Sequence, residues 1–271
     1  MIKEITIGQY FPGNSLVHKL DARIKLILTF VFIVSIFLCK NFWSLGLVTF
    51  ILFLTVAVSQ ISPKTIFKSL KAIVVIIIVT SFLQIFYNKQ GDMLFEWRFI
   101  HITSKGLTLA AFTSIRIILL IISGSMLTYT TSPTILTDAV ERLFSPLNKL
   151  KIDVHVLAMM MTIALRFIPI LIEEIDKIMS AQKARGAVFD EGGLVKRAKA
   201  LMTIIVPLFV NSFRRAYELS FSMECRCYKG GEGRTRLREM KIKLFDVLAL
   251  LFMAVLIFAI IMLNIYFKSV L

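Results

Sequence analysis

No glycine-rich loop ending in lysine followed by serine or threonine occurs anywhere along the chain. Nothing here can cradle the phosphates of ATP by the P-loop mechanism. The nearest approach, Gly230-Gly231-Glu232-Gly233-Arg234-Thr235, lacks the lysine and follows no strand pattern. Cysteine is scarce: there are three, and Cys225 and Cys227 share one basic segment. That makes neither a disulfide framework nor a four-ligand zinc site, and reduced, unligated thiols are expected. The three histidines, His18, His101 and His155, are scattered over loops and helix starts. No constellation of acidic or histidine residues collects at one predicted membrane face, so no catalytic or metal-ligating residue is assigned. Acidic residues are also few, 17 against 32 lysines and arginines.

Apolar residues, by contrast, make up 57% of the chain, 23 of them phenylalanine, against 18% charged. With a mean hydropathy of +0.80, this is far more apolar surface than a soluble core of this length needs, and an integral membrane protein is expected. A net charge of +15 would suggest nucleic acid in a soluble protein. Here the basic residues cluster between apolar blocks, as the positive-inside rule requires, so the lipid bilayer rather than nucleic acid is the expected partner. The first apolar run starts near Ile24, behind Lys19, Asp21 and Arg23, and no small-residue cleavage site closes it. That argues against a cleaved signal peptide.

Residues 8–25 are rich in turn formers, with Gly8, Pro12 and Gly13 as punctuation, and lead into a basic helix start. Ile24 to Cys39 and Phe42 to Ser59 read as a transmembrane hairpin, its first span slightly short of the usual ~20 residues. A short basic loop with Lys64, Lys68 and Lys71 precedes a third span, Ala72 to Tyr87. Asn88 to Lys105, mixed in charge and carrying Trp97 and Phe99, fits a loop on the outer side. The fourth span, Ala110 to Tyr129, holds Arg116, only about 9 Å in from the outer end at ~1.5 Å per residue. Snorkelling to the surface and a grip on a partner both suit that arginine. Ser132 as N-cap and Pro133 at the first helical position restart a charged surface helix running to Leu150, interrupted by Pro146.

Two long helical runs follow. In the first, Leu157, Met161, Ala164, Ile168, Leu171, Ile175 and Ile178 recur at helical spacing; in the second, Leu194, Ala198, Leu201, Ile205 and Leu208 do. Glu173 with Lys177, and Arg214 with Glu218, stand at i,i+4. Each run has a mid-helix proline, Pro169 or Pro207, which removes a hydrogen bond and bends the axis. Each ends in a small-residue cluster around one arginine: Ala184-Arg185-Gly186, then Cys225-Arg226-Cys227. An arginine beside a C-terminal glycine can simply complement the helix dipole. A guanidinium in a collar of small residues can also enter a partner's groove and fork onto a carboxylate. Both readings suit these tips. After Gly230, Gly231 and Gly233 a basic tail, Arg234, Arg236, Arg238, Lys241 and Lys243, leads into a last span, Leu244 to Phe267.

The predicted fold is an all-α membrane protein of about five transmembrane helices plus a cytoplasmic-side domain of long bent helices. Residues 1–130 form an N-terminal transmembrane region of four helices, 131–243 a domain of three amphipathic helices, and 244–271 a C-terminal transmembrane helix. Five spans place the N-terminus, the Lys64 loop and the long helices on one side, which also holds most of the lysine and arginine. A count of six or seven would let Val154 to Ile172 or Ala200 to Val210 cross; Arg166, Pro169 and Arg214 weigh against it.

Three stretches carry a family likeness. They are Gly-Gln-Tyr-x-Pro-Gly-x-Ser-x-x-His-x-Leu-Asp-x-Arg-x-Lys (8–25), Ala-Gln-Lys-Ala-Arg-Gly-Ala around Arg185, and Met-Glu-x-Arg-x-Tyr-x-Gly-Gly (223–231). In order and spacing, from Gly8 to Asp246, the chain resembles the transmembrane T component of energy-coupling factor transporters, vitamin and metal importers of the ABC superfamily. Arg166-Phe167-Ile168-Pro169 and Val206-Pro207-Leu208-Phe209 resemble the family's coupling helices. The resemblance implies two P-loop ATPase partners on the cytoplasmic side, which bind the ATP and Mg; this chain itself would hold no cofactor. It also implies one separate substrate-binding membrane subunit. That subunit would choose the cargo, and whether several such subunits share the scaffold is set outside this chain. Arg185 and Arg226 match the family's docking arginines, while Cys225 and Cys227 depart from its commoner alanine and glycine. The competing readings are a self-contained secondary permease, which would need polar or broken spans at mid-membrane in matching halves, and a membrane-embedded enzyme.

Overall fold

The computed structural model describes residues 10–71, 73–87, 93–97, 100–146, 153–187, 189, 193–230 and 242–267. The predicted basic residues Arg234, Arg236, Arg238 and Lys241 lie outside the described residues, as do Gly8, Phe99, Lys149, Leu150, Gly231 and Gly233. The elements run in the order α1 (Leu16–Lys19), α2 (Ala22–Leu38), α3 (Phe42–Ser59), α4 (Pro63–Lys71), α5 (Val74–Tyr87), β1 (Met93–Trp97), β2 (Ile100–Thr103), α6 (Ser104–Thr130), α7 (Pro133–Phe144), α8 (Val154–Ala184), α9 (Leu194–Cys225) and α10 (Leu244–Tyr266). Among the described residues the fold is all-α apart from one antiparallel hairpin, β1 with β2, pairing Trp97 with Ile100 and Phe95 with Ile102 inside the stretch expected to be a loop. Its aromatic and β-branched residues favour the pleated backbone.

Helix starts fall where a short polar side chain can take a free N–H. Ser15 caps α1, Asp21 caps α2, Asn41 caps α3 and Thr103 caps α6. Among the described residues four helices, α3, α6, α8 and α10, are long and apolar enough to cross a membrane, and α4 with α5 makes a fifth if that pair, bent by 56°, is one span. α2 has 17 residues, about 26 Å at ~1.5 Å each, just under a ~30 Å hydrocarbon core. α8 qualifies because its charge is unevenly distributed. Between Val154 and Ile172 the only charged side chain is Arg166, whereas Glu173, Glu174, Asp176, Lys177 and Lys183 crowd the second half.

The described residues divide into two compact units, the first drawn from 8–139 and 238–271 and the second from 140–237. In the first, α2, α3, α6 and α10 enclose a core of Phe32, Ile36, Leu45, Val48, Leu52, Phe112, Leu119, Leu256 and Ile260. Phe30, Phe37, Phe50, Phe53, Phe252 and Phe258 point outward and are exposed. That pattern suits lipid, where burying one apolar chain against another yields little and packing and hydrogen bonds must hold the bundle.

Those hydrogen bonds concentrate at the two ends of the bundle. At one end the Asn41 amide donates to the carbonyls of Leu263 and Phe267, and the Asn264 amide donates to the carbonyl of Leu38. Arg116 belongs to the same end. Its Nη2 donates to the carbonyl of Cys39 at 2.6 Å and its guanidinium stands 4.8 Å from the Phe112 ring. The arginine therefore closes the end of α2 from within the span, while its buried Nε has no hydrogen-bond partner among the described residues.

The opposite end is built by the opening motif. The His18 ring bonds Ser15 Oγ through Nδ1 at 2.7 Å and the Phe11 carbonyl through Nε2 at 3.0 Å. Lys25, only 6% exposed, donates from Nζ to the carbonyls of His18 and Thr130, each at 3.1 Å, and to Thr131 Oγ1 at 3.5 Å. Asp246, 1% exposed, accepts from the N–H groups of Asp21 at 2.9 Å and Lys243 at 2.7 Å. The spacing of His18, Asp21 and Lys25 thus ties the starts of α2 and α10 to the end of α6.

Candidate functional site

α8 and α9 form the second unit's helical pair. Their direction follows from three contacts. Tyr228 Oη donates to Met159 Sδ at 3.1 Å, Asn211 Nδ2 donates to Glu174 Oε1 at 2.6 Å, and Arg215 Nη2 lies 3.1 Å from Glu174 Oε2. Positions rise along α8 as they fall along α9, so the helices run antiparallel. A cleft of about 590 Å³ opens between them, lined by Ile163, Phe167, Ala216, Leu219, Met223 and Tyr228. Pro169 and Pro207 both lie inside their helices. Each removes the bond that the carbonyl four residues back, on Leu165 or Thr203, would accept within the helix.

The faces in contact take in only part of the stripes that periodicity selects, in which Ile168, Leu171, Ile175, Ile178 and Leu208 are half-buried. Leu157, Met161, Leu201 and Ile205 are about half exposed, while Ala158 and Ile204 are buried. Among the described residues neither Glu173 with Lys177 nor Arg214 with Glu218 forms an ion pair; Glu174 and Arg215, one position along, form the cross-helix pair instead. Both helices are apolar on more than one face, so spacing alone cannot choose the packed one. The partners of Glu174 do.

The two tips share one geometry. At the end of α8, the Gly186 N–H donates to Lys183 O and the Ala187 N–H to Gln182 O, each at 3.0 Å. At the end of α9, the Cys227 N–H donates to Glu224 O at 2.9 Å and the Tyr228 N–H to Met223 O at 3.1 Å. Each is a Schellman motif. Arg185 and Arg226 occupy the same C-cap position, with φ −85° and −94°, and the next residue is left-handed, Gly186 at φ +87° and Cys227 at +55°. Ala184-Arg185-Gly186 and Cys225-Arg226-Cys227 therefore correspond residue for residue, and all six are exposed.

Backbone N–H groups, not arginine side chains, satisfy the last carbonyls of both helices. Among the described residues neither guanidinium has a hydrogen bond or ion pair. Because Tyr228 is fastened to Met159, the second tip sits at the start of α8. Arg185 is 26 residues beyond Met159, at most ~39 Å along the helix. The arginines thus stand at opposite ends of one antiparallel pair.

A family model described as cobalt transport protein, CbiQ, matches residues 13–237, an interval that takes in both tips. The energy-coupling factor transporter transmembrane protein EcfT of Ruminiclostridium cellulolyticum is 50% identical over 248 residues, 92% of each chain. This chain belongs to the CbiQ/EcfT family. The EcfT of Clostridium kluyveri is 47% identical over 250 residues, 92% of this chain and 93% of that one. The EcfT of Bacillus subtilis is 44% identical over 240 residues, 89% and 91%. As an EcfT relative, the chain is the transmembrane component of an energy-coupling factor transporter.

Within this EcfT-family chain the three histidines stand on different elements. His18 is held in the opening clamp, His101 lies in β2, and His155 Nδ1 bonds Glu141 Oε1 at 2.9 Å. Cys39 is buried while Cys225 and Cys227 are exposed. Motif reading missed Tyr228, which ties the second tip to α8, and the Glu174, Asn211 and Arg215 set. Tyr228 stood in plain view in the stretch 223–231, but nothing in the spacing names a methionine 69 residues away as its acceptor.

Proposed function

We propose that this chain is the energy-coupling scaffold of its transporter. Two P-loop ATPase subunits dock on Ala184-Arg185-Gly186 and Cys225-Arg226-Cys227, one on each tip. ATP-driven closure of the ATPases moves the tips, and α8 and α9, bent at Pro169 and Pro207, carry that motion to a separate substrate-binding membrane subunit. Residues 131–243 act as the coupling domain on the cytoplasmic side, with the N-terminus on the same side. The chain performs no chemistry of its own: ATP and Mg belong to the ATPases. The cargo, of the vitamin or metal class, is chosen by the substrate-binding subunit; the family model's cobalt description supports that class.

The observation that carries this reading is the matched pair of tips. A cap alone requires the left-handed residue and its backbone bonds. It does not require an unpaired guanidinium at the same position twice. An exposed arginine between small residues suits bidentate recognition of a carboxylate or of carbonyls in a groove, and two at opposite ends of one rigid pair suit two like partners. The test is Arg185→Glu with Arg226→Glu. ATPase recovery on the tagged chain and ATP-driven uptake should both be lost while membrane insertion is kept. Recovery and uptake at the native level would defeat the proposal.

A further inference from the structure

We propose that α4 is a binding site for anionic phospholipid headgroups. The helix has two unlike faces. Ile66 is buried and packs with Ile61, Met126 and Tyr129, and Ser69 Oγ hydrogen-bonds Tyr129 Oη, so this face is fixed against α6. The opposite face is Lys64, Phe67, Lys68 and Lys71, all exposed. Their spacing of three, one and three puts them in a single helical stripe. Phe67 is 70% exposed among the three lysines. Among the described residues none of the three ammonium groups has a hydrogen bond or ion pair.

The helix sits where headgroups would be. It begins four residues after α3 ends at Ser59 and stops three before α5 begins at Val74, and α3 meets the length and apolarity of a span. Its axis is turned 56° from that of α5, so it leans across the end of a membrane-level segment instead of continuing it. A basic stripe around an exposed aromatic ring is how an interfacial helix meets an acidic leaflet: the ring enters the acyl boundary and the ammonium groups reach phosphates. Three unopposed positive charges on so short a helix select anionic over zwitterionic lipid. Each is worth about fivefold in that preference, so the three together reach roughly a hundredfold. Because α4 is pinned to the end of α6, headgroup binding there fixes the connection between α3 and α5. This proposal does not depend on the docking of ATPases.

The experiment places one tryptophan at the site, Phe67→Trp, in a chain carrying Trp43→Phe and Trp97→Phe, reconstituted in phosphatidylcholine vesicles. Phosphatidylglycerol and phosphatidylcholine with brominated acyl chains are added separately at equal low mole fraction, and quenching gives the local preference. Brominated phosphatidylglycerol should be preferred by tenfold or more. The preference should fall about fivefold with each of Lys64→Gln, Lys68→Gln and Lys71→Gln, survive replacement by arginine, and shrink in high salt. Quenching by the zwitterionic lipid should stay constant; if the triple glutamine chain loses it, the single variants, which keep it, decide the matter. Equal quenching by the two lipids in the chain with native lysines would overturn the proposal. So would a preference that outlasts all three substitutions, or an unchanged preference alongside lost ATPase binding, which would make α4 a protein-docking helix.

Discussion

Exchanging the left-handed residues of the two tips should move their stability in opposite directions. Gly186 and Cys227 occupy the same position after the C-cap, at φ +87° and +55°. A side chain in the left-handed region costs about 1–2 kcal/mol, and glycine gives back about 0.5–1 kcal/mol through the larger freedom of the unfolded chain. Cys227→Gly should therefore stabilise the second tip by roughly 0.5–1 kcal/mol. In Gly186→Ala no atom within 4 Å would meet the new methyl group, so the loss, about 0.5–1 kcal/mol, is backbone strain less the unfolded-state entropy that alanine removes. Cys225→Ala changes an exposed helical position and should be close to neutral. The assay is hydrogen exchange of the two capping amides at each tip, Cys227 and Tyr228, then Gly186 and Ala187. Protection should rise about two- to fivefold in Cys227→Gly and fall by the same factor in Gly186→Ala. Unchanged or reduced protection in Cys227→Gly would refute the reasoning, because it would mean that the cysteine side chain, not the cap geometry, holds the second tip.

Lys25→Met strips three acceptors of their buried donor and should lower stability in detergent by about 2–3 kcal/mol, read as a lower unfolding midpoint. Burial, assisted by the nearby Lys25 charge and opposed by the Phe11 hydrogen bond, lowers the His18 pKa from its ordinary 6.5. The folded chain then binds fewer protons than the unfolded one, so the stabilisation is complete above 6.5 and is lost as pH falls through the folded value. Unfolding midpoints across that interval should show the loss, and His18→Gln should flatten it. Glu174→Ala removes the acceptor shared by Asn211 and Arg215. Amides of α9 near Asn211 should exchange about tenfold faster, for a loss of ~1.5 kcal/mol.

The helices were legible because their signals are local. Ser132-Pro133 marks a start, and long apolar runs mark spans whatever packs beside them; the caps Asp21 and Asn41 came only with the structure. The arginine tips were legible as a repeated pattern, and their shared backbone geometry follows from glycine at one and a tolerated left-handed cysteine at the other. What stayed hidden depends on distant partners. The motif around His18, Asp21 and Lys25 marked the family, but its work of tying α2, α6 and α10 together requires Thr130, Thr131 and Asp246, which are more than 100 residues away. Arg116 could not be assigned without the Cys39 carbonyl. The packed face of α9 could not be chosen from spacing because Leu201 and Ile205, apolar but exposed, satisfy the helical period as well as Ile204 does. α8 reads as amphipathic only when its apolar first half and charged second half are averaged together.

The second tip carries its own probe for the central claim, since Cys225 and Cys227 are exposed while Cys39 is buried. Maleimide labelling rates of the two thiols, measured on the free chain and on the complete complex with its ATPases, test docking directly. Ala184→Cys extends the same measurement to the first tip. If the tips seat in ATPase grooves, both should label rapidly in the free chain, slow sharply together in the complex, and recover in Arg185→Glu with Arg226→Glu. Thiols that label equally fast in the free chain and in a complex that drives uptake would contradict the account.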